Sequence, residues 1–247
     1  MPPVRTPTAL LAGVLATNPS GPLITFYDDA TGERIELSAI TLDNWVAKTA
    51  NLLQDGGIEP GARAAVLLPP HWQTAAILLG SWSAGLAVTL TAEPADVAFA
   101  GPDQLDAALG TGADEVYGLS LAPMAMPLRP VPAGVTDYAT EVRTHGDRFF
   151  PYQQVDPEAP ALGALSYAEV VAAGAARATE LGLTSTDRLL VAGPRDGEVD
   201  WLLAPLAAGA SLVLCRTPDE GKLADRATAE RVTATLGVTI PGVRRAG

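Results

Sequence analysis

The stretch from Gly57 to Leu90, GIEPGARAAVLLPPHWQTAAILLGSWSAGLAVTL, constrains this chain more than any other. Ala64 to Leu68 is a short apolar run between Pro60-Gly61 and Pro69-Pro70, the signature of a buried strand. From His71 to Ala84, Trp72, Ala75, Ala76, Leu79 and Trp82 recur at helical spacing, and Gly85 ends the pattern. A second strand opens at Ala87-Val88-Thr89-Leu90. Strand, helix and strand within ~30 residues make a crossover unit, so the spacing predicts a parallel sheet.

The rest of the chain repeats the theme. Arg5 and the run from Ala9 to Ala16 imitate a secretion signal, but no small-x-small cleavage site stands near Thr17-Asn18-Pro19, and an amphipathic first helix is the plainer reading. Leu23–Tyr27 and Arg34–Leu37 flank the turn Asp28-Asp29-Ala30-Thr31-Gly32 as a hairpin. Thr41 is placed to cap a helix reaching about Leu53. Strands are expected at Val97–Ala100 and Val116–Leu119, around a short helix at Leu105–Leu109. Seven prolines between residues 120 and 160 predict loop, with a helix at Thr136–Thr144. Ser166-Tyr167-Ala168-Glu169 is a capping box opening a helix to Leu181. A strand at Asp187–Ala192, a helix at Val199–Ala208 and a strand at Ser211–Leu214 form a second crossover. The periodicity then predicts a last helix over Lys222–Leu236 and a strand at Val238–Ile240. The expected fold is α/β with parallel-rich sheets, as a first lobe over residues 1–160, holding the N-terminal helix and hairpin, and a second over 161–247.

Composition narrows the possible functions. With 28 acidic against 16 basic residues the net charge is −12, and Arg244-Arg245 is the only basic cluster. Nucleic acid and anionic membranes are therefore poor partners. Cys215 is the single cysteine, and His71 and His145 are the only histidines, which excludes thiolate and histidine-rich metal centres. A reducing cytoplasm fits that cysteine usage.

The segment 57–88 just described, with LLAGVLATNPSGPLITFYDDATGERIELS near the start and ALSYAEVVAAGAARATELGLTSTDRLLVAGPRDGEVDWLLAPLAAGASLVL later, resembles the adenylate-forming enzymes, the acyl-CoA synthetase and AMP-ligase superfamily. The resemblance covers about residues 8 to 240. It implies the fold of that family's N-terminal domain, truncated here. It also implies where the chemistry should sit: a Ser/Thr/Gly-rich loop ending in Pro-Lys-Gly, between a strand and a helix-opening histidine, cradles phosphate on backbone N–H groups.

In this sequence Ala159-Pro160-Ala161-Leu162 runs straight into Gly163-Ala164-Leu165-Ser166-Tyr167, with no such loop, no lysine, and Tyr167 where the family places histidine. Charged Arg195, Asp196 and Glu198 stand where relatives place an aromatic residue or histidine facing the acyl group. Adenine and ribose motifs and the C-terminal catalytic lysine have no counterpart. Other motifs have bland readings. Gly221-Lys222 lacks the first glycine of a phosphate-binding loop, which position 216 fills with Arg, and Gly110-Thr111-Gly112 is followed by Glu115. Ser120 in Gly118-Leu119-Ser120-Leu121-Ala122 lacks the helix a nucleophile elbow requires, because Pro123 and Pro127 follow. His71 starts a helix, His145 is expected in a solvated loop, Trp72 and Trp82 belong to the core, and Asp28-Asp29 serve the hairpin. No residue is assigned as catalytic, cofactor-binding or metal-ligating, and no cofactor is expected.

These departures favour a non-catalytic relative acting as a binding or interaction protein. The alternative is an adenylate-forming activity completed by a separate chain. A small molecule in the remnant cleft is a third option. Leu202, Leu203, Leu206, Leu212, Val213 and Leu214 are expected to lose covering elements that a longer relative supplies, and a homodimer would cover them. Light scattering at micromolar protein checks this: twice 25.4 kDa supports the dimer, 25.4 kDa defeats it.

Overall fold

Parallel strands carry apolar side chains on both faces, so each sheet needs cover on two sides. The computed structural model, which describes residues 5–193 and 197–247, meets that need with a helical layer shared between two sheets. The elements in order are α1 (Pro7–Thr17), β1 (Pro22–Asp28), β2 (Glu33–Ser38), α2 (Ala39–Asp55), β3 (Arg63–Leu67), α3 (Trp72–Ser83), β4 (Ala87–Thr89), β5 (Val97–Ala100), α4 (Leu105–Leu109), β6 (Glu115–Gly118), β7 (Thr136–Asp137), α5 (Tyr138–Glu141), β8 (Pro160–Leu162), β9 (Leu165–Ser166), α6 (Tyr167–Glu180), β10 (Arg188–Ala192), α7 (Ala204–Ala208), β11 (Ser211–Arg216), α8 (Leu223–Ala229), β12 (Ala234–Leu236) and β13 (Arg244–Arg245). The fold is α/β with parallel-rich sheets, as the crossover pattern predicts. One sheet runs β7-β6-β5-β3-β4-β8-β9 and is parallel except at β9; the other runs β13-β12-β10-β11-β1-β2 and is parallel except at β2.

Alternation along the strands explains the layering. Ala64 and Val66 of β3 and Leu189 and Val191 of β10 turn into one shared core with α1, α2, α3 and α6. Ala65 and Leu67 face outward beneath α4, and Leu190 and Ala192 face outward beneath α8. Trp72, Trp82 and Trp201 are fully buried, so both tryptophans of α3 are core residues. Among the described residues no helix is long and apolar enough to cross a membrane.

Several boundaries differ from expectation, each for a physical reason. The hairpin β1–β2 joins the sheet built from residues 188–245, with Phe26 opposite Leu214, so its strands pair with the later half of the chain. Ser38, not Thr41, caps α2: its hydroxyl accepts the Thr41 N–H. The expected helix over 136–144 begins as β7, after which Asp137 caps α5 through the Thr140 N–H. Helix α8 stops at Ala229 because Arg231 takes φ +54°, and Ala234–Leu236 becomes a strand beside β10. No strand forms at Val238–Ile240; Ile240 instead packs into the outer core. Pro205 has no N–H to give, and Val199–Leu203 before it widens into a π-turn. Leu202, Leu203, Leu206, Leu212, Val213 and Leu214 are all buried within the single chain, so the bareness that motivated the dimer is not found at these residues. His145 is not solvated: its Nδ1 lies 2.9 Å from Asp55 Oδ2, and Asn51 holds the neighbouring loop through the carbonyls of Gly146 and Arg148.

Two contacts give direct tests. A Cβ on Gly80 would lie 2.6 Å from Thr49 Cβ and 3.1 Å from the Val46 carbonyl, atoms of α2 that no rotamer change can move away. Gly80→Ala gains about 1 kcal/mol of helix propensity but incurs overpacking of about 1–3 kcal/mol, so a net loss in urea-melt stability is expected. Glu230 ties α8 to the second sheet. It accepts from Tyr27 Oη at 2.6 Å, Arg188 at 2.7 Å and Arg34 at 2.8 Å. Burial pushes its carboxyl up, but those hydrogen bonds outweigh burial and bring it down to about 2. The folded group thus binds protons more weakly than the unfolded one. Its contribution is complete above the ordinary value of 4.5 and is lost as pH falls towards about 2. Glu230→Gln should flatten the acid limb of stability between those values; an unchanged limb would mean the network carries none of it.

Candidate functional site

Two places in the fold invite chemistry: the hairpin at residues 160–166, and the crevice beyond the carboxyl ends of the parallel strands.

At the first, a two-residue turn replaces the long loop that the family resemblance implies. β8 and β9 pair antiparallel around Gly163-Ala164, with Gly163 at φ +56°. The nearby backbone donors are spent inside the protein. Gly163 N–H reaches the Val88 carbonyl at 2.9 Å, Tyr167 N–H the Ala159 carbonyl at 3.1 Å, and Ala168 N–H the Pro157 carbonyl at 2.9 Å. Ser166 N–H goes to Glu169 Oε2 at 2.8 Å, and Glu169 N–H returns to Ser166 Oγ, which completes the capping box. Tyr167, at the family's histidine position, is buried and donates its hydroxyl to the Leu86 carbonyl at 2.8 Å. Trp82 Nε1 donates to the Ala161 carbonyl at 2.9 Å and pins β8 from below. These donors are taken up by carbonyl, carboxylate and hydroxyl acceptors of the protein itself.

At the second, a cleft of about 460 Å³ opens where both sheets end. Leu68 and Pro69 follow β3, Gly101 follows β5, Leu121 lies beyond β6, and Arg216 closes β11, with Glu198 beside them. Glu198 is 6% exposed and its Oε2 has no hydrogen-bond partner among the described residues. Burial pushes its carboxyl up; its own backbone N–H and the Trp201 indole pull weakly the other way. Arg216 Nε stands 3.8 Å from Asp28 Oδ2.

The floor behind the cleft is polar and tightly held. His71 is fully buried, and its Nδ1 accepts the Gln73 N–H, which puts the ring proton on Nε2. That nitrogen points at Glu33 Oε2 across 4.0 Å, too far for a direct hydrogen bond, and neither atom has another partner among the described residues. Burial lowers the His71 pKa against the opposing pull of Glu33, so the ring is held neutral. Glu33 Oε1 accepts the Met124 N–H at 3.2 Å and fixes the loop after β6. Leu121, Met124 and Ala125 in that loop all hold φ near +50° to +60°, and Thr217 after Arg216 holds φ +42°. Non-glycine residues in this region are strained, and such strain gathers at functional sites.

A larger hollow of about 630 Å³, at the opposite ends of β10 and β11, is lined by Arg34, Glu36, Arg188 and Glu230. Its charges already answer one another in ion pairs of 2.7 to 3.1 Å, which makes it structural.

The residues weighed from sequence fall as follows. His71 caps α3, and Asp28-Asp29 serve the hairpin: Asp28 accepts the Ala30 N–H, while Asp29 takes Arg226 at 2.7 Å. Ser120 Oγ donates to the Met126 carbonyl, and no α-helix follows it. Cys215 is buried, which raises its pKa. Arg195 and Asp196 lie outside the described residues. Glu198 and Arg216 come together in the cleft, and Glu33 faces His71, only in three dimensions. The available signal for Arg216 was its place immediately after an apolar strand, where α/β sheets bind ligands.

No family model matches the chain. It is 49% identical to a TIGR03089 family protein of Mycobacterium tuberculosis (strain ATCC 25618 / H37Rv), an alignment covering 94% of this chain and all of that protein. Among solved structures it is similar to the acyl-CoA synthetase of Brucella canis, with a TM-score of 0.76 and 18% identity. It is also similar to the anthranilate CoA ligase AuaEII in complex with anthranoyl-AMP, with a TM-score of 0.73 and 13% identity. Both likenesses cover 94% of this chain, which spans about half the length of those structures, 47% and 49%. The fold is therefore the one seen in acyl-CoA synthetases, and by its full-length kinship to the mycobacterial protein the chain belongs to the TIGR03089 family.

Proposed function

We propose that this protein is a non-catalytic relative of the acyl-CoA synthetases and works by binding, not by activating a carboxylate. The observation that carries the reading is the Gly163-Ala164 hairpin, where the N–H groups of Gly163, Ser166, Tyr167, Ala168 and Glu169 are committed to protein acceptors. Adenylate formation needs donors aimed at charge developing on the α-phosphate. Here Tyr167 is locked to the Leu86 carbonyl, and residues 157–169 contain no lysine or arginine to meet that charge. A polyanion such as ATP would also approach a chain of net charge −12. The cleft between the sheet ends supplies a place to bind, and the lone buried Cys215 suits a cytoplasmic protein.

Acid-dependent exchange of pyrophosphate into ATP, run with fatty and aryl acids, should stay at background. Millimolar MgATP should leave the melting midpoint almost unmoved, since binding stabilises by RT ln(1 + [L]/Kd). Robust exchange by the chain alone would overturn the reading.

A further inference from the structure

The cleft at the sheet ends holds one ionisable group, Glu198, that the described residues leave incompletely paired. Glu198 is more than nine-tenths buried, lines the cleft, and leaves Oε2 without a partner among the described residues. A buried carboxyl oxygen without a donor or cation is costly, so the group either takes up a proton or waits for a cationic group to complete it. Arg216 shares the cleft but is turned to Asp28, and the influences on the Glu198 carboxyl are burial, its own N–H and Trp201, not Arg216. Asp103 adds a second acid to the lining. Around these groups the walls are apolar: Leu67, Leu68, Pro69 and Leu121, with Leu90 half-exposed at the mouth. Specific pockets have this form, an apolar body with few polar groups that fix orientation.

We propose that this cleft binds a small amphiphilic amine, its ammonium on the Glu198 carboxylate and its alkyl or aryl body against Leu68, Leu90 and Leu121. The proposal rests on the chain being a binding protein, yet it reverses the charge of the ligand that a carboxylate-activating ancestor would take. An ammonium supplies the donors and positive charge that Glu198 lacks. A carboxylate would meet Glu198 and Asp103 with only a guanidinium already opposed by Asp28 to receive it.

Calorimetric titration of the whole chain with hexylamine, hexanol and hexanoate, which share one apolar body, decides the matter. Hexylamine is expected to bind at least tenfold more tightly than either of the others. Glu198→Gln, which keeps the shape and removes the charge, should abolish that preference. Leu90→Trp at the mouth should weaken hexylamine without lowering the melting temperature, and it locates the site even if the Glu198 variant folds poorly. Equal binding of all three probes, preference for hexanoate, no binding of hexylamine, or an undisturbed preference in Glu198→Gln would each overturn the proposal. Pyrophosphate exchange bears only on catalysis and amine titration only on this site, so either reading can fail alone.

Discussion

Two-sided burial of parallel strands is the constraint from which the rest of this structure follows. In β3 and β10 successive residues face opposite ways, and both sets are apolar. These central strands therefore cannot present either face to water. One layer of helices, α1, α2, α3, α6 and α7, covers the inner faces of both sheets at once. α4 and α8 cover parts of the outer faces. Sharing the middle layer reduces the number of helices a chain of 247 residues must supply. It also demands close approach, which is why Gly80 sits against Thr49 and Gly174 against Leu203.

The pairing of β1 with β11 binds the start of the chain to its later part. Five residue pairs, from Ile24–Leu212 to Asp28–Arg216, run in parallel register. The same junction brings Asp28 to Arg216, Asp29 to Arg226, and Tyr27 and Arg34 to Glu230. These ion pairs are partly or wholly withdrawn from solvent, where one lost partner leaves a charge unmet. They fix which strand β1 selects, something apolar burial alone does not discriminate.

Polar satisfaction separates the two places where a ligand could act. Around Gly163 the N–H groups of Gly163, Ser166, Tyr167 and Ala168 are taken up by acceptors of the protein itself. At the carboxyl ends of the strands, Glu33, His71 and Glu198 keep buried atoms without a partner among the described residues, and Leu121, Met124, Ala125 and Thr217 hold positive φ.

Local rules account for the elements that neighbouring residues can specify alone. The strand–helix–strand at 57–90, the Ser166–Glu169 capping box and the core role of Trp72 and Trp82 follow from periodicity and short-range hydrogen bonding, which neighbouring residues determine by themselves. The short connection between Leu162 and Leu165 was legible too, because it is a matter of spacing. What the sequence could not decide depended on partners distant along the chain. The hairpin's choice of sheet, the conversion of Ala234–Leu236 from helix to strand, and the burial of Leu206 were set by neighbours such as β10 and β11. The approach of Glu198 to Arg216, and of Glu33 to His71, was likewise a tertiary outcome, since each stands at the end of a different element and only the packing of those elements brings the ends together.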